Sequence, residues 1–130
     1  MSLNVLIVDD SETVRAIIGK TLKLANVPLK EVFQASNGQE ALEVLKAQWV
    51  DLVLTDINMP VMNGVELVNH MNEDETMKGI PVVVVSTDGS ATRIEELKAK
   101  GIRGYIRKPF TPEQIKEIIV QTLGVSDEQC

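Results

Sequence analysis

Four places along the chain gather side chains able to hold a metal ion, attack phosphorus or balance charge: Asp9-Asp10, Asp56, Ser86-Thr87 and Lys108-Pro109. Each follows directly on a short, mostly apolar run, VLIV, LVLT, VVVV and GYIR in turn. Three carboxylates drawn from two such runs would repel one another, and like charges held close make ionisation costly unless a cation offsets them. Oxygen ligands alone suit magnesium, which binds through one or two carboxylates, keeps several waters and leaves room for a phosphate. An Asp carboxylate is a weak nucleophile toward phosphorus. A site built on one must therefore align donor with acceptor and neutralise the charge on the transferring oxygens, which a metal and a lysine supply. Taken singly, these residues have ordinary explanations, since Asp caps helices and shapes loops and Lys is usually solvated. Their shared position after buried strands favours one functional cluster.

The elements that would bring them together alternate along the chain. Leu3 to Val8 is an almost wholly apolar run, which reads as a strand covered on both faces. Ser11 offers a helix N-cap, and Val14, Ile17, Ile18, Thr21, Leu22 and Ala25 recur at helical spacing up to Asn26-Val27-Pro28. The pattern repeats with strands at Glu31 to Ala35, Leu52 to Thr55, Val82 to Ser86 and Gly104 to Arg107. The helices between and after them are expected at about Gly38 to Ala47, Gly64 to Met71, Ala91 to Lys100 and Pro112 to Leu123, with Gly124 as a stop. Five strands alternating with helices through short connections predict an α/β doubly wound parallel sheet with right-handed crossovers and helices on both faces. Such sheets bind ligands beyond the carboxyl ends of their strands, where the winding reverses. Four of the five strand ends carry the candidate residues, and the second contributes nothing comparable. One domain over residues 1–124 with a tail at 125–130 is expected.

Composition narrows the function. A length of 130 residues suits one domain, and a formal charge of −6 with a pI near 4.8 argues against direct nucleic-acid binding. The single cysteine, Cys130, leaves no disulfide framework and no zinc cluster. No apolar run approaches the roughly 20 residues needed to cross a bilayer, and no signal-peptide pattern opens the chain. A cytoplasmic location without membrane contact is expected.

The strings VLIVDDS, LVLTDINMPVMNG, VVVVST and GYIRKPF, in that order and spacing from about Leu3 to Leu123, resemble the receiver domains of two-component response regulators, most nearly free-standing CheY-type receivers. The resemblance implies a flavodoxin-like five-stranded sheet in order 2-1-3-4-5 with five surrounding helices. It implies Asp56 as phosphoacceptor, Asp10 as a direct magnesium ligand, Asp9 as a ligand acting through water, and Asn58 as a ligand through its backbone carbonyl. Ser86 matches the switch hydroxyl that turns toward the phosphoryl oxygens, Lys108 the cation that pairs with the acyl phosphate, and Tyr105 the aromatic that changes burial with the switch. A cis peptide is implied at Lys108-Pro109. The implied donor is a phosphohistidine on a sensor histidine kinase or phosphotransfer protein, and the receiver catalyses only its own modification. The last strand and last two helices would form an output face for an unidentified partner protein, in a monomer or a phosphorylation-dependent dimer.

Smaller features carry their own expectations. Thr87 departs from the small residue that often follows the switch hydroxyl and is expected to slow entry of bulky phosphodonors, while Asp88, a carboxylate one position further on, and Asn58 are expected to tune acyl-phosphate lifetime. In the Met59-to-Gly64 loop, Gly64 is the residue suited to a positive φ. Ile94, Leu97, Ile115, Ile118, Ile119 and Leu123 read as core, Arg107 as a polar interruption of the output face, His70 as a surface residue and Trp49 as packing at a helix end. Two other classes compete: a phosphatase using Asp56 as nucleophile, and an interaction module with a dead site. The first needs a general acid where Asn58 stands, and an amide cannot serve. The second should lack Asp10, Asp56 or Lys108, and all three are present.

Overall fold

The computed structural model describes residues 2–87 and 91–123. Asp88, Gly124 and the tail at 125–130 lie outside the described residues. Five strands, β1 (Leu3–Val8), β2 (Leu29–Ala35), β3 (Leu52–Thr55), β4 (Val82–Ser86) and β5 (Gly104–Arg107), alternate with five helices. The helices are α1 (Glu12–Leu24), α2 (Gly38–Ala47), α3 (Gly64–Asn72), α4 (Ala91–Ala99) and α5 (Pro112–Leu123). All strand pairs are parallel, in the order β2-β1-β3-β4-β5. The predicted five-stranded α/β sheet is therefore the one observed, with β2 and β5 at its edges.

Alternation along the strands splits the core in two. Val5 and Ile7 of β1 join Leu52, Leu54, Val83, Val85 and Ile106 under α1 and α5, through Ile18, Leu22, Ile115 and Ile119. Leu6 and Val8 face the other way with Val53, Val82 and Val84, under α2, α3 and α4, through Leu42, Leu45, Leu67, Val68, Met71 and Leu97. This double cover is why the central strands read as unbroken apolar runs. Leu97, Ile115 and Ile119 are buried as expected, whereas Ile94, Ile118 and Leu123 are only partly so.

Four of the helices, α1, α2, α3 and α5, are capped locally where they open. Ser11, Asn37 and Asn63 accept the backbone N–H three residues on, and at α3 the Glu66 side chain completes a capping box on Asn63. Thr111 does the same for Gln114 at α5, while Gln114 accepts from the Thr111 amide.

Two expectations need correction. β2 starts at Leu29, two residues before its expected start, because this edge strand opens with the exposed Lys30-Glu31 pair and has no continuous apolar run to mark where it begins. Trp49 does not pack at a helix end: it is 77% exposed, with its indole N–H donating to Asp51 Oδ1. Ile17 keeps the helical spacing but is 54% exposed on α1. His70 lies at the surface, as predicted.

Candidate functional site

Sheet register brings the first two clusters into contact. The winding reverses between neighbouring β1 and β3, where Val8 lies beside Thr55, and the Asp56 amide donates to the Val8 carbonyl at 2.9 Å. The residue after β1 and the residue after β3 are thus forced together by the same ladder that builds the core. On the far side, Ser86 pairs with Arg107, and the Lys108 amide donates to the Ser86 carbonyl at 3.0 Å. Lys108 then enters a cis peptide with Pro109.

From these backbone positions three carboxylates converge. Asp9, Asp10 and Asp56 each offer an oxygen within 4.8 Å of the others, in surroundings that run from buried through partly buried to exposed. Asp9 is only 2% exposed and is held at every polar atom. Its amide donates to Ala35 O, its carbonyl accepts from Arg15, Oδ1 accepts the Ser11 amide at 2.9 Å, and Oδ2 accepts Lys108 Nζ at 2.7 Å. Asp56 Oδ1 accepts the Ile57 amide at 2.7 Å, and Oδ2 lies 3.5 Å from Lys108 Nζ. Lys108 therefore bridges carboxylates 99 and 52 residues away in sequence, and its ammonium sits nearer the more buried one. Among the described residues the Asp10 carboxylate has no hydrogen-bond partner and faces solvent.

A cluster of this kind fits a hard divalent cation. Every donor is an oxygen, the three sides are of graded exposure, and one lysine leaves a net negative charge to be balanced. Magnesium suits this donor set, with Asp9, Asp10 and Asp56 as the groups that would hold it.

The remaining predicted residues lie around the cluster at varied depth. Ser86 is fully buried at the end of β4 and Thr87 is exposed just beyond it. Tyr105 is partly buried on β5, beside Val84 and packed on the core face of α2, α3 and α4. Asn58 is exposed, two residues past Asp56.

The loop that follows Asp56 is tightly closed. Gly64 donates to Ile57 O at 2.7 Å, and a Cβ at Gly64 would collide with the Asp56 carbonyl and stand 3.0 Å from Ile57 Cα. Gly64 is therefore required for close approach; the positive φ expected of it falls on Val61 instead, at 67°. The reason lies next door, where buried Met62 wedges against Gly38 and its carbonyl accepts the Gly38 amide at 2.9 Å. Packing of Met62 sets the backbone, and Val61 takes the left-handed conformation that β-branched residues disfavour. Arg15 also belongs to the site's surroundings, and its guanidinium donates to Asp9 O at 2.6 Å and Gln34 Oε1 at 3.0 Å. Its only signal in the sequence is a basic residue in the first turn of the helix that follows the acidic pair.

Known proteins resemble this chain in sequence and fold. The response regulator receiver domain family matches residues 5–120. Chemotaxis protein CheY1 of Helicobacter pylori is 38% identical over 96% of this chain and 100% of its own length. The crystal structure of chemotaxis protein CheY4 of Vibrio cholerae superposes with a TM-score of 0.83 at 34% identity, covering 94% of this chain and 99% of that one. The receiver domain of a sensor histidine kinase from Pseudomonas aeruginosa PAO1, solved with a magnesium ion coordinated in its active site cleft, shares the fold at a TM-score of 0.83, with 20% identity over 96% of this chain and 100% of its own. A parallel sheet in the order 2-1-3-4-5, carboxylates at its switch point and near full-length similarity to these proteins lead to one assignment: the chain belongs to the response regulator receiver domains of two-component signalling, as a CheY-like member.

Proposed function

We propose that Asp56 takes a phosphoryl group from the phosphohistidine of a sensor histidine kinase or phosphotransfer protein, and that the resulting acyl phosphate changes partner binding at the face formed by α4, β5 and α5. The observation that carries this reading is the convergence of Asp9, Asp10 and Asp56 within 4.8 Å, with Lys108 Nζ reaching both Asp9 and Asp56.

The roles follow from position. Asp56 Oδ1 is oriented by the Ile57 amide, which leaves the carboxylate aimed by the backbone rather than by a mobile side chain. Lys108 Nζ, 3.5 Å from Asp56 Oδ2, stands where an acyl phosphate needs a positive charge. Magnesium, held by Asp9, Asp10 and Asp56 with the Asn58 backbone carbonyl, would supply charge neutralisation for the carboxylates and the phosphoryl oxygens. Ser86, buried at the end of the strand beside β5, is the hydroxyl that would turn toward the phosphoryl group, and Tyr105, two residues before Arg107 on β5, would change its burial in step. Such a switch biases an equilibrium between two arrangements already accessible to the fold. A groove of about 270 Å³ lined by Tyr105, Arg107, Glu117 and Ile118 lies on the proposed output face. Thr87 would slow entry of bulky phosphodonors, and Asn58 and Asp88 would set how long the phosphoryl group stays, Asn58 because an amide cannot act as the general acid of a phosphatase. The receiver unit is taken as residues 1–124, working in the cytoplasm as a signalling module whose self-catalysed chemistry serves switching. No helix among the described residues is long and apolar enough to cross a membrane.

Incubation with phosphoramidate or acetyl phosphate and magnesium, followed by intact-mass measurement, tests the reading. A gain of one phosphoryl group is expected, absent in Asp56→Asn and with chelator. Mass unchanged by either donor would remove the proposal.

A further inference from the structure

We propose that Arg15 is a positioning residue for the acidic loop: its two-point hold on the Asp9 carbonyl and Gln34 fixes the peptide that aims Asp10 at the cation. The inference rests on the cation reading of Asp9, Asp10 and Asp56. Asp10 is the exposed member of the cluster, and among the described residues nothing hydrogen-bonds its carboxylate. Its direction is therefore inherited from the backbone. The Asp9 carbonyl and the Asp10 N and Cα share one rigid peptide plane, so whatever fixes that oxygen fixes the plane from which the Asp10 side chain departs.

Arg15 does so from outside the pocket. Its guanidinium donates to Asp9 O at 2.6 Å and, through Nε, to Gln34 Oε1 at 3.0 Å. Gln34 lies on β2 beside Ile7, and its neighbour Ala35 accepts the Asp9 amide at 3.1 Å. The peptides on both sides of Asp9 are thus tied to edge strand β2, one directly and the other through Arg15. The planar fork of a guanidinium can hold two acceptors in fixed geometry, and an ammonium cannot reproduce it. Groups that orient metal ligands from behind typically govern affinity by about 10-fold or more.

The sign of the effect separates this role from simple electrostatics. Arg15 is a cation beside a cation site, so by charge alone its removal should tighten magnesium binding. A positioning role predicts the reverse. Magnesium titrations of wild type, Arg15→Met and Arg15→Lys, followed by backbone amide NMR so that folding is read in the same spectra, decide between them. The expected result is a loss of magnesium affinity of about 10-fold in Arg15→Met. Arg15→Lys, which keeps the charge but loses the fork, should also weaken binding, and both should shift the Asp10 backbone amide resonance before metal is added. Affinity equal to or tighter than wild type in either folded variant would overturn the proposal, and should Arg15→Met fail to fold, Arg15→Lys decides. Wild type that takes up no magnesium would overturn the cation reading itself, and this inference with it.

Discussion

Lys108 stands between two carboxylates of unequal burial, and that inequality makes its loss measurable. Asp9 is 2% exposed and Lys108 Nζ is its 2.7 Å partner, whereas Asp56 lies at 3.5 Å in a more open position. In Lys108→Met the methylene stem still packs, but Asp9 Oδ2 is left charged, buried and unpaired. Breaking a buried pair from one side costs about 3 kcal/mol at the lower end of the usual range, which suits a pocket open on one side. Urea unfolding without metal should show that loss, and added magnesium should shrink it. Equal stability of variant and wild type would mean the ion pair contributes nothing. The acidic pair, Asp56, Ser86 and Lys108 were legible in the sequence because each stands at the end of an apolar run. Arg15 was not, since its role depends on Gln34 and the Asp9 carbonyl, both fixed only by the β1–β2 pairing. Trp49 was misread because a large apolar residue is usually packed, and the hydrogen bond to Asp51 that holds it at the surface has no periodic signature.

At the scale of elements, the segment from β3 to α3 shows how closely the backbone must turn around Asp56. Gly64 opens α3 and donates to Ile57 O, while its own Cα faces the Asp56 carbonyl too closely for any side chain. Gly64→Ala should therefore force the loop away from β3, at a cost of about 1–3 kcal/mol typical of overpacking. Because the displaced carbonyl belongs to Asp56, the proposed phosphoacceptor, phosphorylation by small donors should fall as well. Thermal unfolding and intact-mass time courses check the two effects, and a variant as stable and as reactive as wild type would show that the contact is slack. The strands under double cover were legible to within a residue, since burial on both faces writes itself as an unbroken apolar run. Edge strand β2 and the loop conformation were less so. β2 is exposed along much of its length, and the left-handed residue at Val61 follows from the seating of Met62 against Gly38, a tertiary contact that overrides local preference.

For the molecule as a whole, alternation of strands and helices gave the fold class, but strand order came only with the family resemblance, because periodicity does not say which parallel strands are neighbours. Order is what matters for the site. Placing β1 beside β3 sets Asp9 and Asp10 against Asp56, and placing β5 beside β4 carries Lys108 to them. Three carboxylates held together in the folded state and dispersed in the unfolded chain make folding and cation binding one equilibrium. Magnesium at 100 times its dissociation constant should stabilise the protein by about 2.7 kcal/mol, seen as a raised Tm. Asp10→Asn should lose most of that shift, and a wild-type Tm indifferent to magnesium would count against the site. The central claim, that Asp56 is the acceptor, is tested most directly by borohydride reduction of the phosphorylated protein, which converts an aspartyl phosphate to homoserine, followed by peptide mass mapping. Homoserine at position 56 alone is the predicted result; homoserine at another residue, or at none in a protein that has gained a phosphoryl group, would contradict it.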